Sequence, residues 1–284
     1  MNLEEVKDFG LYDSENIKSF KKFWKPESII SVIADTHIGD SHSIFPEEYL
    51  LLNKSAKIKG AGIGYEIYKK WLEYSKISQC WNVDTICFLG DVISGTSSKL
   101  RKSNDIIDID NQINLAKIIF DPYFKDRKSM WVSGTNTMHD SLDTNIHAIL
   151  AERYNGIFGK EGYLYFSLYG INFLMAHKTR KGALFPLGIL ERNRIFTESG
   201  IQNEDLPPID LTIGAHWHKF EEVPGDMTIG CWQGFYTIKG DISFFGIRQP
   251  DIGGLIILIK EEKYLTIPYK FDINFIEGEK LENI

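Results

Sequence analysis

Apolar runs of strand length recur in this chain, and one after another they stop at an acidic or imidazole residue. The run Ile29 to Ala34, broken only by Ser31, ends at Asp35-Thr36-His37. It predicts a central strand at about 29–34 that delivers polar groups to the rim of a sheet. The run Asp84 to Leu89 ends at Gly90-Asp91, and Ser129 to Ser133 ends at Gly134-Thr135-Asn136-Thr137-Met138-His139-Asp140. Between these runs, Ile67, Trp71 and Tyr74 recur at helical spacing and predict a helix lying on a sheet. Further helices are expected around 106–124 and from Ile146 to Tyr154, with the Asp105 to Asp110 stretch as an exposed helix start. Gly60, Gly62 and Gly64 lack the Gly-x-Gly-x-x-Gly spacing and follow no apolar strand, so they read as a flexible loop.

From about residue 163, strand follows strand. Tyr163 to Leu168 and Ile171 to Ala176 flank Tyr169-Gly170, a hairpin signal, and the second run ends at His177. Segment 183–200 reads as a helix. Leu211-Thr212-Ile213 is a short strand ending at Gly214-Ala215-His216-Trp217-His218, and more strands are expected near 228–238 and 254–270. Strand–helix alternation followed by hairpins gives a mixed α/β class. With no internal repeat and no Pro/Gly/Ser-rich linker, the expectation is one domain over 1–284. Residues 1–28 would be a leader packed on it, and 38–80 an insertion carrying the Trp71 helix.

Composition narrows the function classes. The 284 residues are 43% hydrophobic and 25% charged, as in an ordinary globular protein. A net charge of −7 argues against coating nucleic acid by bulk attraction, although nucleic acid as a substrate is still compatible, since metal charge can hold a phosphate on an acidic protein. Lys18, Lys21, Lys22 and Lys25 interleave with Phe20, Phe23 and Trp24, a pattern shared by basic aromatic patches and by amphipathic leaders; the leader is the better reading. The N-terminus lacks a basic start and an apolar stretch, so no exported precursor is expected, and no run is long enough to span a bilayer. Cys80, Cys87 and Cys231 are odd in number and widely spaced, which indicates neither a disulfide framework nor a thiolate zinc site and fits a reducing cytoplasm.

A lone Asp-x-His arises by chance about once in two chains of this composition. Five strand ends in series are a different matter: Asp35/His37, Asp91, Asn136/His139, His177 and His216/His218. On a strand, residues i and i+2 share a face, so Asp-x-His and His-x-His can each aim two donors at one point. Read in order, Asp35-x-His37, Gly90-Asp91, the Gly-Asn/His-Asp region at 134–140, His177 and Gly214-x-His216-x-His218 resemble the calcineurin-like metallophosphoesterases, whose signature is D-x-H, G-D, G-N-H-D/E, H, G-H-x-H. The resemblance covers roughly residues 29–220. The Trp71 helix, Cys231-Trp232-Gln233 and Pro250 to Gly254 also look like a phage-type or archaeal branch of that family.

The resemblance implies a four-layer α/β/β/α sandwich with two mixed β-sheets and a dinuclear site at the strand ends. Carried over residue by residue, Asp35, His37 and His218 would hold one divalent metal, His177 and His216 the other, and Asp91 would bridge them. Imidazole and carboxylate suit manganese first, with iron, zinc and nickel also compatible. The implied activity is hydrolysis of a phosphomonoester or phosphodiester by in-line attack of a metal-bridging hydroxide, with nuclease activity included. The third motif departs from the pattern by three extra residues. Either Asn136 still reaches the second metal, or Thr135 takes that position and water completes the shell; in both cases His139, oriented by Asp140, is the expected proton donor. If both arrangements fail, the site would bind metal and turn over poorly, which is the alternative of an inactive member serving as an interaction module. A mononuclear zinc hydrolase is a third reading. Lys178 and Arg180 could contact a substrate phosphate. His42 reads as a loop residue near the substrate and His147 as a surface or packing residue. The substrate could be a phosphoprotein, a nucleotide or a nucleic acid; neither a membrane nor a protein partner is indicated.

Overall fold

The computed structural model describes residues 3–40, 42–53, 56–60, 62–95, 108–135, 146–159, 162–177, 198–203, 207–234 and 250–273. Their helices include α1 (Leu3–Asp8), α2 (Ser14–Trp24), α3 (Gly62–Trp81), α4 (Ile109–Phe124) and α5 (Ile146–Arg153), and residues 198–202 are helical as well, the rest of the predicted 183–200 helix lying outside the described residues. Their strands are β1 (Ser28–Ile33), β2 (Glu48–Leu50), β3 (Lys57–Lys59), β4 (Thr85–Leu89), β5 (Lys128–Val132), β6 (Ile157–Gly159), β7 (Tyr163–Leu168), β8 (Ile171–Ala176), β9 (Leu211–Gly214), β10 (Glu221–Val223), β11 (Asp226–Thr228), β12 (Ile252–Lys260) and β13 (Lys263–Phe271).

Two mixed sheets carry the architecture. The first has the order β13-β12-β1-β4-β5-β6, with β1, β4, β5 and β6 parallel and β12 antiparallel to β1. The second has the order β10-β11-β9-β8-β7, in which β8, β9 and β11 run parallel. Alternation along β1 divides its side chains between two cores. Ile30 and Val32 meet Phe173, Met175, Leu211 and Ile213 of the second sheet, in a core shared by both sheets. Ile29 and Ile33 face the other way, toward Ile67, Trp71 and Tyr74 of α3 and Phe120 of α4. Ser31, the one polar residue in the run, points into this helical layer and is paired with the hydroxyls of Tyr74 at 2.8 Å and Tyr123 at 2.6 Å. A buried hydroxyl with partners costs little, which is why the strand tolerates it.

The predicted elements meet local chemistry at their ends. Asp13 caps α2 by accepting from the backbone N–H groups of Glu15 and Asn16, and Asp108 caps α4 by accepting from that of Asn111. The Asp-rich stretch thus starts a helix, with 105–107 outside the described residues. Tyr169 and Gly170 both take positive φ, 49° and 78°, so the β7–β8 hairpin has a two-residue loop in the left-handed region that matches strand twist. One expectation is corrected: Gly62 and Gly64 belong to α3, not to a loop. Gly64 is buried, and its carbonyl accepts from the Phe45 N–H at 3.2 Å. The helix starts there because the segment after His37 folds back as core, with Ile38, Ile44, Phe45 and Tyr49 all buried. In the leader, Val6, Leu11 and Ile17 are buried in the helical core. Phe20 and Trp24 pack against that core while Phe23 stays 81% exposed. Among the described residues no helix is long and apolar enough to cross a membrane.

Candidate metal centre

The candidate ligands do not lie within the strands. β1 stops at Ile33, β4 at Leu89, β8 at Ala176 and β9 at Gly214, and the polar residues follow immediately. Five of them have left-handed backbone: Asp35 (φ 51°), His37 (41°), Asp91 (51°), His216 (73°) and His218 (56°). This corrects the expectation that strand alternation aims the Asp-x-His and His-x-His pairs; abrupt turns at the strand ends do so. Non-glycine residues rarely take this conformation, and each instance costs about 1–3 kcal/mol that surrounding structure must hold in place. Backbone hydrogen bonds do the holding. The N–H of Asp35 donates to Gly90 O at 3.1 Å, that of His37 to Asp91 O at 3.0 Å, and that of Ala215 to His177 O at 3.2 Å. The N–H of His216 donates to Asp35 Oδ2 at 2.9 Å and ties the two sheets together at their carboxyl ends.

Two groups of donors result, each with its ligand atoms within 4.8 Å of one another: Asp35, Asp91, His177 and His216, and Asp35, His37 and His218. His177 Nε2 is 2.9 Å from Asp91 Oδ2. Asp35 Oδ1 is 3.4 Å from His218 Nε2, 3.7 Å from His37 Nε2 and 3.9 Å from His177 Nδ1. These separations are mostly too long for hydrogen bonds, but near the roughly 3–3.5 Å expected between neighbouring ligands of one cation held at about 2.1 Å. The grouping differs from the implied assignment in one respect. Asp35 is the carboxylate common to both groups, while Asp91 falls in one of them and accepts the Thr135 N–H on Oδ1 at 2.6 Å.

The site's electrostatics fit cations. Among the described residues, Asp35 Oδ1 is fully buried and accepts no well-formed hydrogen bond, with only the imidazole nitrogens facing it, a costly state for a carboxylate oxygen unless positive charge is near. Burial alone would raise the Asp35 pKa, yet the His218 and His177 imidazoles hold its carboxyl well below the usual range. Burial likewise works to lower His177, but the Asp91 and Asp35 carboxylates outweigh it and push that imidazole up to about 9. His218 is raised against burial by Cys231 and Asp35. Asp35, Asp91, His37, His177 and His218 are buried, whereas the His216 side chain is 27% exposed, so the site opens at His216.

Thr135 sits at the centre: its hydroxyl is 3.3 Å from Asp91 Oδ2 and 3.2 Å from His177 Nε2. Asn136, His139, Asp140, Lys178 and Arg180 lie outside the described residues. His42 is a half-buried loop residue with Nδ1 3.5 Å from the buried Asp40 carboxylate. His147 is buried and 3.4 Å from the Val92 N–H, so it packs behind Asp91 and is not a surface residue. Trp232, in the Cys231-Trp232-Gln233 stretch set beside the phage-type or archaeal branch, donates its backbone N–H to Asp35 O at 3.0 Å, a link that nothing in its sequence context signals.

Two glycines let the strand ends close. A Cβ on Gly90 would lie 2.5 Å from His177 Nδ1 and 2.7 Å from Gly134 Cα, and one on Gly134 would strike the Asp91 backbone nitrogen and carboxylate. Gly134→Ala is therefore expected to cost about 1–3 kcal/mol, since the obstructing atoms include backbone that cannot rotate away. A urea denaturation midpoint equal to that of the parent protein would show that the ends of β4 and β5 are not packed this closely.

No family model matches the sequence, and no curated protein matches it. Among solved structures, a single mutant of Vps29 from Entamoeba histolytica aligns with a TM-score of 0.41 at 12% identity, over 86% of this chain and 99% of that one. Vps29 from Chaetomium thermophilum gives 0.43 at 12% identity, over 89% of this chain and 92% of that one. The nuclease MPE from Pseudomonas putida gives 0.35 at 10% identity, over 84% and 87%. Likenesses this distant carry no functional argument, so function rests on the geometry of the site.

Proposed function

We propose that this chain is a dinuclear metal-dependent phosphoesterase of the calcineurin-like type, acting on a phosphomonoester or phosphodiester. In this reading it is one domain over 1–284 with a four-layer α/β/β/α sandwich, of a phage-type or archaeal branch, working in the cytoplasm. The carrying observation is the pair of Asp/His groups that share buried Asp35, whose Oδ1 accepts no hydrogen bond among the described residues. Asp35, His37 and His218 would hold one divalent ion, and Asp35, Asp91, His177 and His216 the other, with Asn136 as a further ligand. Manganese is the first expectation, then iron, zinc or nickel. When bound, such a pair supplies Lewis acidity toward a phosphoryl oxygen and lowers the pKa of water.

The chain's own groups do the rest. The imidazoles would bind in their neutral form, so His177 and His218, raised by neighbouring carboxylates and by Cys231, would give up protons as metal enters. Thr135 holds Asp91 in place through its N–H. The half-exposed edge at His216 admits the ester, a phosphoprotein, nucleotide or nucleic acid, with Lys178 and Arg180 assigned to its phosphate. His139, oriented by Asp140, is assigned to protonate the leaving oxygen. The test is metal analysis of the loaded protein, with hydrolysis of aryl mono- and diesters and of single-stranded and duplex DNA. About two ions per chain are expected, and Asp91→Asn should lower turnover at least about 10²-fold. Absence of bound metal, with hydrolysis unchanged in Asp91→Asn, would overturn the proposal.

The irregular spacing of 134–140 favours a second reading, an inactive member of the fold serving as an interaction module. Tight metal binding with no turnover on that panel would select it, and one ion per chain would select a mononuclear zinc hydrolase.

A further inference from the structure

Lys18, Lys21 and Lys22 fall at i, i+3 and i+4 and so form one stripe on α2, with Lys25 just past it at the left-handed C-cap. The first three line a cleft of about 540 Å³ between α2 and the end of α3, whose other walls are Gln79, Cys80 and Asn82. Lys18 is paired with Glu15 at 2.7 Å, an exposed pair of little energetic weight. Lys21 is half-buried, and burial holds it below the ordinary lysine range. The neighbour that meets its Nζ is an amide, the Asn82 side-chain oxygen, at 2.8 Å once that amide is oriented to satisfy both its partners. The i,i+4 pair Lys18/Lys22 places two like charges on one face of the helix. The helix dipole favours cations in the last turn, but it does not account for three of them converging on one cleft with two amides.

The cleft is remote from the metal centre. α2 leads into the amino end of β1 and α3 into that of β4, whereas the candidate ligands follow the carboxyl ends of both strands, about 20 Å away along the sheet. We propose that the α2–α3 cleft is a binding site for an oligophosphate, a ligand with two or more linked phosphates, held by Lys18, Lys21 and Lys22 with an amide donor from the Gln79 side chain, while Asn82 orients Lys21. Its volume suits a ligand of nucleotide size. Closely spaced phosphates supply the several negative charges that three ammonium groups require, and lysine meets phosphate as a point charge. The ligand source is either an inorganic polyphosphate chain or a nucleoside oligophosphate.

The test is calorimetric titration of the full chain, kept in chelator so that the metal centre does not compete, with tripolyphosphate, ATP, orthophosphate and tetraglutamate. Tripolyphosphate is expected to bind, and the Lys21→Gln/Lys22→Gln double variant to bind it at least about tenfold more weakly. The variant's aryl phosphoester turnover, measured separately with metal, should be unchanged. ATP binding tighter than tripolyphosphate assigns the nucleoside source, and equal affinity assigns the inorganic chain. A second readout needs no variant. Cys80 is half-buried in the cleft wall while Cys87 and Cys231 are buried, so bound tripolyphosphate should slow Cys80 alkylation at least about fivefold. The proposal is overturned if the double variant binds tripolyphosphate like the parent, if tetraglutamate or orthophosphate binds as tightly, or if Cys80 gains no protection.

Discussion

Asp35→Asn is expected to drop the metal content from about two ions per chain to below one and to reduce phosphoesterase turnover by about 10²–10³-fold. The size of the effect follows from position. Among the described residues Asp35 is the carboxylate common to both donor groups, is fully buried, and has one oxygen that accepts no hydrogen bond. Asparagine keeps the shape and leaves a carbonyl oxygen to accept from the His216 N–H, now made to Asp35 Oδ2 at 2.9 Å, so the link between the sheets survives while the anionic ligand is lost. Far-UV circular dichroism should therefore match the parent while metal analysis and turnover fall together. A variant that still binds two ions at parental affinity would remove Asp35 from the ligand set. Asp91→Asn should be milder in metal content, because Asp91 belongs to one group only.

Trp71→Ala carries the largest expected loss of stability, about 3–5 kcal/mol. Trp71 is buried on α3, with ring centroids 4.9 Å from Tyr123, 5.6 Å from Phe120 and 5.1 Å from Trp232, the last edge-on. Truncation empties a volume bounded by other aromatic rings, which are themselves held in a dense cluster and cannot collapse into it. The loss should reach the metal centre as well, because the Trp232 backbone N–H donates to Asp35 O at 3.0 Å. Chemical denaturation should show the lower stability, and metal titration below the new melting temperature should show weaker binding. Trp71→Phe, which refills most of the cavity, should recover most of both. Parental stability in Trp71→Ala would mean that this cluster does not anchor α3 to the first sheet.

The Trp71 helix illustrates what periodicity makes readable. Ile67, Trp71 and Tyr74 recur at helical spacing and fill the helical core, and the β7–β8 hairpin follows from two alternating runs around Tyr169-Gly170. Both are local signals, in which the spacing of residues along the chain is the cause of the structure. Gly62 and Gly64 lie in α3 although glycine weighs against a helix locally; Gly64 is buried there and its carbonyl accepts the Phe45 N–H, a contact that their spacing does not encode.

The strand-end residues show the same division. That apolar runs stop at Asp35/His37, Asp91, His177 and His216/His218 is written in the order of residues, since burial of a strand demands the run and its end marks the rim of the sheet. The turn that aims each side chain is not written there. Left-handed backbone at five of these six residues persists because hydrogen bonds between the strand ends over-determine it, and such bonds depend on neighbours up to 181 residues away, as between His216 and Asp35. Which carboxylate is shared is likewise a matter of ångströms between two sheets packed through a common core. The Thr135 N–H bond to Asp91, and the close approach that Gly90 and Gly134 allow, are consequences of packing that no spacing encodes. The chemistry of the donors is therefore legible in the chain, and their convergence belongs to the fold.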